Sequence, residues 1–209
     1  MSKKTEEKQS FITEARRAQI VDAAITTLDE IGFASASLAQ IAKRAEISTA
    51  LISYHFKDKN ELMDYTLMAL VSDSAGYVLE RTRAASTNAE KLHAYIAASL
   101  AYQATRPRHS TALIEIIFHA RTPDNVPYYK IGDDDEDPLA AELQRILTNG
   151  QSRGEFRSFN AQIMASVIQG AIGEYMFNKK LTDDVDLEAY IDELIALFDR
   201  MVRSDSPPA

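Results

Sequence analysis

Apolar residues recur every three or four positions along almost the whole of this sequence. No stretch of four to eight residues alternates between apolar and polar side chains as a half-buried strand would. The pattern therefore predicts an all-α protein with about nine helices. They are expected near residues 13–31, 37–45, 48–56, 58–84, 88–105, 108–121, 138–152, 159–179 and 187–203.

Several helix boundaries are marked by residues that cap helix ends. The segments SLAQ at 37–40, DKNE at 58–61 and TNAE at 87–90 have the spacing of capping boxes, in which two residues satisfy each other's free backbone amides. Gly32 is placed to end the first long helix. The stretch 122–137 is rich in Pro, Gly and Asp, which predicts a loop.

The net charge of −8 argues against nucleic acid as a partner until its distribution is considered. Residues 1–59 contain nine Lys and Arg against eight Asp and Glu, a balance of +1. Residues 60–209 contain fourteen against twenty-three, a balance of −9. Because the acidity lies in the second part, the N-terminal part is free to approach DNA phosphates.

Composition excludes several classes of protein. No apolar run approaches the ~18 residues that a membrane span needs, and residues 1–10 lack the apolar core of a secretion signal. The absence of cysteine excludes disulfides and thiolate metal sites. We therefore expect a cytoplasmic protein without a membrane partner. Its 209 residues allow one large domain or two modest ones, and residues 1–10 are expected to be disordered.

The most informative segment is SLAQIAKRAEISTALISYHFKDKNEL at 37–62. It predicts a helix-turn-helix, in which one short helix supports a second that enters the major groove of DNA. The supporting side chains are Leu38, Ile41, Ala42, Ala45, Ile47 and Ile52. The side chains predicted to contact DNA are Ser37, Thr49, Ala50, Leu51, Ser53, Tyr54, His55 and Lys59. If Ile52 points inward, Leu51 is turned by about 100° and can touch thymine methyl groups.

This segment resembles the DNA-binding domain of TetR-type (tetracycline-repressor-like) regulators, which follow the pattern IA..A..S...LY.HF..K..L. The matching residues are Ile41, Ala42, Ala45, Ser48, Ile52, His55, Phe56, Lys59 and Leu62. The resemblance is strong over about 11–65, and RGEF at 153–156 is also similar to the family. It implies a homodimer formed by the last two helices and repression that is relieved when a ligand occupies the second domain.

Two positions depart from the family pattern. The turn glycine of the family is Glu46 here, and a positive φ at this residue would cost about 1 kcal/mol relative to glycine. The aromatic residue common after the buried aliphatic is Ser53, followed by Tyr54. We place the DNA-binding domain at 1–57 and an effector-binding and dimerisation domain at 58–209.

The second domain is predicted to hold a dimer interface and an effector pocket. The last helix is apolar on more than one side, which indicates either a deeply buried helix or one that also packs on a partner. The predicted interface residues are Ile172, Leu187, Ile191, Leu194, Phe198 and Met201. The candidate pocket residues are Tyr102, Gln103, Phe118, His119, Gln169 and Tyr175, each of which could equally be ordinary core or surface.

No cofactor or metal is expected. Glu115 and His119 are four residues apart and could share a metal, but no third ligand is evident, so a surface ion pair is the favoured interpretation. The acidic run 133–137 resembles a calcium loop only superficially, because Pro138 stands where the turn glycine would be.

The sequence thus predicts a ligand-responsive transcriptional regulator, a repressor by default, that binds a palindromic double-stranded operator as a homodimer. A small-molecule effector of unknown identity would release it, and transcriptional activation stays open. The alternatives are a helical enzyme and a protein-interaction module without operator binding. No spacing of His, Glu and Asp typical of a catalytic site supports an enzyme.

Overall fold

The structure is a computed structural model that describes residues 2–131 and 137–203, with side chains from Phe11 onward. Within these residues the chain forms ten α-helices and one 3-10 turn, Tyr128–Lys130, which confirms the all-α prediction. The helices are α1 (Ser2–Ser35), α2 (Leu38–Arg44), α3 (Thr49–His55), α4 (Lys59–Ala84), α5 (Asn88–Thr105), α6 (Pro107–His119), α7 (Pro138–Ser152), α8 (Ala161–Phe177), α9 (Lys179–Asp184) and α10 (Leu187–Val202).

The predicted caps set several of these boundaries. Gly32 has a φ of +72° and interrupts α1, a conformation that glycine adopts without a steric penalty. Ser37 and Gln40 form the expected capping box at the start of α2. Thr87 and Glu90 form another at the start of α5. Local side-chain chemistry therefore determines where these helices begin.

Two parts of the helical prediction are wrong. The backbone of residues 2–12 is helical and continuous with the predicted first helix, whereas disorder was expected for 1–10. This stretch has no Gly or Pro, and its Lys, Glu and Gln residues favour a helix without an apolar face. The helix predicted to end at 179 ends at Phe177, and the Asn178 side chain accepts from the Leu181 amide to start the separate helix α9.

The segment predicted as a loop contains local order. Asn125 has a φ of +63° in a tight turn, and an isolated bridge joins Arg121 to Pro127. The acidic run lies outside the described residues except for Asp137. The carboxylate of Asp137 accepts from the Leu139 amide at 2.9 Å and caps α7.

The chain divides into two compact units. Unit 1 comprises Met1–Val71 and Pro107–Gly132, and unit 2 comprises Ser72–Arg106 and Asp133–Ala209. This division falls inside α4 and adds α6 to the N-terminal unit, so it does not coincide with the predicted boundary between residues 57 and 58. The functional boundary stays a prediction.

Unit 1 has one hydrophobic core built by α1, α2, α3, α6 and the first half of α4. Its fully buried side chains include Ile20, Ala24, Leu28, Ile41, Ile52, Phe56, Leu62, Met63, Ala112 and Ile116. The core holds α2 and α3 against two longer helices, so the short helices do not depend on their own hydrogen bonds for stability.

The end of α1 is held by α6 within unit 1. The Glu115 carboxylate accepts a hydrogen bond from the Phe33 amide at 2.7 Å. A Cβ on Gly32 would lie 3.2 Å from the same carboxylate, so this close approach favours glycine there. The His119 ring stacks on Phe33, and its Nδ1 lies 3.4 Å from a Glu115 oxygen. The predicted ion pair is therefore part of an interhelical contact.

Unit 2 has its own core, formed by α5, α7, α8, α10 and the second half of α4. Its buried side chains include Val78, Leu92, Ile96, Leu100, Leu143, Ile146, Leu147, Phe156, Ile168 and Phe198. The Phe156 amide donates to the Gly150 carbonyl at 3.0 Å, and the ring covers Gly150 so closely that a Cβ there would lie 2.1 Å from a ring carbon. Phe156, the last residue of the RGEF segment, thus packs this turn.

Candidate nucleic-acid interface

The helix-turn-helix is supported by the apolar side chains that the sequence indicates. Ile41, Ala42, Ala45 and Ile52 are buried, and Leu38 and Ile47 pack against the same core while partly exposed. The small alanines let α2 and α3 approach closely. The inward orientation of Ile52 fixes which side of α3 faces outward.

The turn between α2 and α3 keeps the backbone conformation expected for the family glycine. Glu46 has a φ of +55°, and the Ile47 amide donates to the Ala42 carbonyl at 3.0 Å. Gln19 of α1 donates to the Ala45 carbonyl at 2.7 Å and holds the end of α2. Glu46 therefore does not change the conformation of the turn. Its positive φ carries the steric penalty expected for a residue with a Cβ.

The outer face of α3 is exposed. Thr49, Ala50 and Ser53 are exposed, and Tyr54 keeps 78% of its surface open to solvent. Leu51 is half-buried at the edge of this face. These five predicted DNA-contacting residues therefore lie on one accessible surface, which we call the recognition face.

Ser37 and His55 lie beside the recognition face, and both have other partners. The Ser37 hydroxyl is part of the capping box at the start of α2. The His55 carbonyl accepts from Arg17, and its ring packs edge-on against Tyr54 at 5.1 Å. Burial lowers the pKa of His55, and the positive charges of Arg17 and Arg16 lower it further. These effects favour the neutral form of the His55 ring.

Lys59 points into unit 1. Its ammonium donates to the Phe33 carbonyl and lies 4.2 Å from the centroid of the Phe33 ring. Desolvation by burial lowers the pKa of Lys59. The predicted phosphate contact of Lys59 stays a prediction, and the structure gives the residue a second role in holding the end of α1.

Sequence reasoning missed three basic residues near the helix-turn-helix. Lys43 is exposed on α2, and Arg16 lies on α1, close enough to His55 to lower its pKa. Arg17 lies over the rings of Phe56 and Tyr65 at 5.5 and 5.3 Å from their centroids. No spacing rule marks α1 residues as neighbours of α3, because that proximity comes from the packing of unit 1.

The six candidate pocket residues do not form one group within a unit. Phe118 and His119 belong to unit 1 and are exposed, with Phe118 stacked on Tyr129. Tyr102 belongs to unit 2, where its hydroxyl donates to Asp73 at 2.9 Å.

The other three pocket candidates, Tyr175, Gln169 and Gln103, also belong to unit 2. Tyr175 is buried and packs on Tyr190, with ring centroids 4.9 Å apart. Gln169 forms a side-chain hydrogen bond with Tyr95, whose pKa is raised by burial. The side-chain carbonyl oxygen of Gln103 is buried and has no hydrogen-bond partner in the described part of the chain. The same is true of the hydroxyl oxygen of Ser99, which lies one helical turn away. The effector pocket that the sequence predicts among these residues stays a prediction.

The predicted dimer residues separate into two sets. Ile172, Leu194 and Phe198 are buried in the core of unit 2, and Leu187 and Ile191 pack against that core. Met201 is exposed. The side of α10 that carries Leu187, Ile191, Leu194 and Phe198 therefore faces the core of its own unit, where these residues pack with α5 and α8.

Other apolar side chains of α8 and α10 remain uncovered. Ile163 and Val167 of α8 are 63% and 47% exposed, and Leu197 and Met201 of α10 are also exposed. The spacing of four residues within each pair places its two members on the same side of their helix. We call these four residues the apolar face.

Among the described residues, no group of three or more His, Cys, Asp or Glu side chains has the geometry of a metal site. In the same part of the chain, no helix combines the length and the apolar character needed to cross a bilayer.

A supported short helix with an exposed outer face, joined to its support by a tight turn, defines a helix-turn-helix DNA-binding protein. Residues 20–66 match the family model described as bacterial regulatory proteins, tetR family. This match confirms the resemblance of the helix-turn-helix segment to regulators of the TetR family.

Curated relatives agree with this assignment. HTH-type transcriptional regulator BetI of Paraburkholderia phytofirmans is 41% identical over 87 residues, which cover 41% of this chain and 45% of that protein. BetI of Klebsiella pneumoniae is 44% identical over 69 residues, or 33% of this chain and 35% of that protein. The chain thus spans less than half the length of these curated relatives. Both relatives are named as transcriptional regulators.

Solved structures show the same fold across both units. The regulator FadR from Bacillus subtilis, solved in complex with stearoyl-CoA, superposes with a TM-score of 0.74 at 22% identity over 86% of this chain and 96% of that chain. FadR from Bacillus halodurans gives a TM-score of 0.74 at 20% identity over 87% and 93%.

Proposed function

We propose that this protein is a repressor that binds a palindromic operator as a homodimer and is released by a small-molecule effector. A regulator of chromosomal genes works where the chromosome lies, so we place it in the bacterial cytoplasm. The observation that carries the proposal is the recognition face, which is exposed on α3 while Ile52 on the opposite side is buried.

The apolar face supports the dimer. Removing the four exposed apolar side chains on α8 and α10 from water lowers the free energy, and a second copy of the chain presents the same residues for this contact. Two recognition helices about 34–36 Å apart would then reach successive major grooves on one side of a palindromic site. We assign the interface to Ile163, Val167, Leu197 and Met201.

The interior polar groups of unit 2 support an effector site. Gln103 and Ser99 each have a buried polar atom without a partner in the described residues, and such atoms are stabilised by a ligand that hydrogen-bonds to them. Because α4 contributes residues to both units, it offers a continuous path by which ligand binding can change the position of α3. The effector must bind the DNA-free state more tightly in order to release the operator.

DNA binding is tested by fluorescence anisotropy with the full-length protein and the DNA upstream of its own gene. We expect a preference over random DNA of at least 1000-fold, falling steeply with salt. Tyr54→Ala should weaken operator binding about tenfold, while Met68→Ala, an equally exposed change on α4, should not alter it. A preference of only a few-fold would contradict operator binding and favour an interaction module.

Effector release is tested with the same complex. The stearoyl-CoA bound by the Bacillus subtilis neighbour is a first probe, followed by a library of small polar and apolar metabolites. An effector should raise the melting temperature of the free protein and release the labelled operator. Gln103→Leu should weaken both effects and leave operator binding without ligand unchanged.

A further inference from the structure

The composition of α3 is unusual for a helix that identifies DNA bases. Its residues are Thr49–His55, TALISYH, and they include no Arg, Lys, Asn or Gln. Arg and Lys form the common contacts to guanine, and Asn and Gln form those to adenine. The helix therefore lacks the side chains that usually distinguish bases by paired hydrogen bonds.

Two of the candidate base-reading side chains of α2, Arg44 and Gln40, are held in other contacts, and Lys43 is an exposed basic residue of that helix. Both terminal nitrogens of Arg44 donate to the Glu30 carboxylate, and its Nε donates to the Thr27 hydroxyl at 3.1 Å. The Gln40 side-chain oxygen accepts from the Ser37 amide at 2.9 Å and from its hydroxyl. These hydrogen bonds hold both side chains within unit 1.

The first turn of α3 presents methyl groups. Thr49 and Ala50 are exposed, and Leu51 is half-buried beside them. In a helix-turn-helix, the N-terminal residues of the recognition helix contact base edges, and apolar groups there pack on the 5-methyl group of thymine. The hydroxyls of Thr49 and Ser53 accept or donate to either kind of base, so they add affinity with little selectivity.

We propose that Thr49, Ala50 and Leu51 select the operator by contacting thymine methyl groups in each half-site, with little contribution from guanine. This inference rests on the proposed operator binding. It deepens that function by naming the feature of the DNA that is recognised.

The test begins with an operator selected from a random duplex library by the full-length protein. Each thymine of the selected site is then replaced by deoxyuridine, which removes the 5-methyl group and keeps every hydrogen-bonding group. We expect binding about fourfold weaker for each contacted methyl group removed. Thymines in the flanking duplex serve as controls and should give no change. Replacement of guanines by 7-deazaguanine should change affinity less than twofold.

Protein variants assign each methyl group to a side chain. Leu51→Ala and Ala50→Ser should each bring the ratio of thymine to deoxyuridine affinity close to one at a single position of the half-site. Lys43→Ala, an exposed change on α2, should weaken binding to both duplexes equally and keep the ratio. The measurement on the unmodified protein does not depend on whether any variant folds.

The outcomes separate the two proposals. A selected operator that contains no thymine in its half-sites, or is insensitive to deoxyuridine, overturns methyl recognition and leaves operator binding intact. Loss of binding with 7-deazaguanine also overturns it. A selection that yields no preferred sequence overturns operator binding and methyl recognition together.

Discussion

Unit 1 and unit 2 are both helical with a continuous apolar core, yet they leave different side chains exposed. Around α3, unit 1 exposes the small residues Thr49, Ala50 and Ser53 and the large ring of Tyr54, with the basic Lys43 nearby. On α8 and α10, unit 2 exposes the large apolar side chains of the apolar face. The two surfaces that we propose for DNA and for a second copy of the chain therefore differ in the chemistry of their exposed side chains.

The interiors of the two units combine apolar packing with specific polar contacts. Unit 1 holds its helix ends with specific polar contacts, such as Glu115 to the Phe33 amide and Gln19 to the Ala45 carbonyl. Unit 2 has such contacts as well, since Glu155 accepts from the Asn88 amide at 2.7 Å, and it adds the close packing of Phe156 on Gly150. Buried polar atoms without a partner in the described residues occur in both units, on Arg17 in unit 1 and on Ser99 and Gln103 in unit 2.

The largest expected effect concerns the apolar face. Val167→Asp places a charge where a partner chain would cover it. The dissociation constant of the dimer, measured by sedimentation equilibrium, should therefore increase more than 100-fold. Thr148→Asp, at an exposed position of α7, is the matched control and should leave the dimer unchanged. A Val167→Asp protein that stays dimeric would place the interface elsewhere.

Close packing in unit 2 is tested by Gly150→Ala. The added Cβ would lie 2.1 Å from a carbon of the Phe156 ring, so the free energy of unfolding should fall by about 3 kcal/mol in a urea titration. The control Gly170→Ala, with no atom near the added Cβ, should be neutral or stabilising. Equal effects of the two changes would mean that the turn around Phe156 adjusts freely.

The polar contact at the end of α1 is tested by Glu115→Ala. Loss of the carboxylate leaves the Phe33 amide without this acceptor, and the free energy of unfolding should fall by about 2 kcal/mol. Glu80→Ala removes an exposed carboxylate that pairs with Arg81 at 3.7 Å, and it should cost less than about 0.5 kcal/mol. If Glu115→Ala lowers the free energy of unfolding no more than Glu80→Ala does, the hydrogen bond from the Phe33 amide contributes little to the stability of unit 1.

The turn of the helix-turn-helix should be improved by Glu46→Gly. Its φ of +55° is unfavourable for a residue with a Cβ, so glycine should raise the free energy of unfolding by about 0.5–1 kcal/mol. Glu46→Ala keeps the Cβ and is expected to give no gain. Stabilisation by alanine as well would show that the carboxylate, rather than the backbone, is unfavourable there.

The smallest effect is a pH dependence of DNA binding. Burial and the positive charges of Arg17 and Arg16 lower the pKa of His55 in the free protein, and a nearby phosphate would favour its protonation. Operator affinity should therefore rise about threefold between pH 7.5 and pH 6. The unfolded state binds this proton more readily, so protein stability falls slightly as the pH drops below 6.5.

His55→Gln is the control for this measurement. The variant should bind with the same affinity at both pH values when the salt concentration is constant. A slope that persists in His55→Gln would assign the titration to another group.

Local sequence was sufficient for much of the fold. Periodicity predicted the all-α class, and the patterns at 37–40 and 87–90 predicted the capping boxes of α2 and α5, because capping depends on residues within one helical turn. The burial of Ile52 followed from the same periodicity, and with it the exposure of the outer side of α3. The helix at 2–12 was missed because propensity, rather than an apolar face, supports it.

Tertiary structure decided what depends on contacts between distant residues. Glu115 and Phe33 are 82 positions apart, so no local pattern shows that α6 packs in unit 1. The inward orientation of Lys59 depends on the Phe33 carbonyl and ring.

The sequence of α10 by itself determined that the helix has more apolar surface than one side can bury. Only the packing of unit 2 decided which part stays exposed, because Leu194 and Phe198 are taken up by its core and Leu197 and Met201 are not. Periodicity counts apolar side chains around a helix axis, whereas their burial depends on neighbours that the chain supplies from far away.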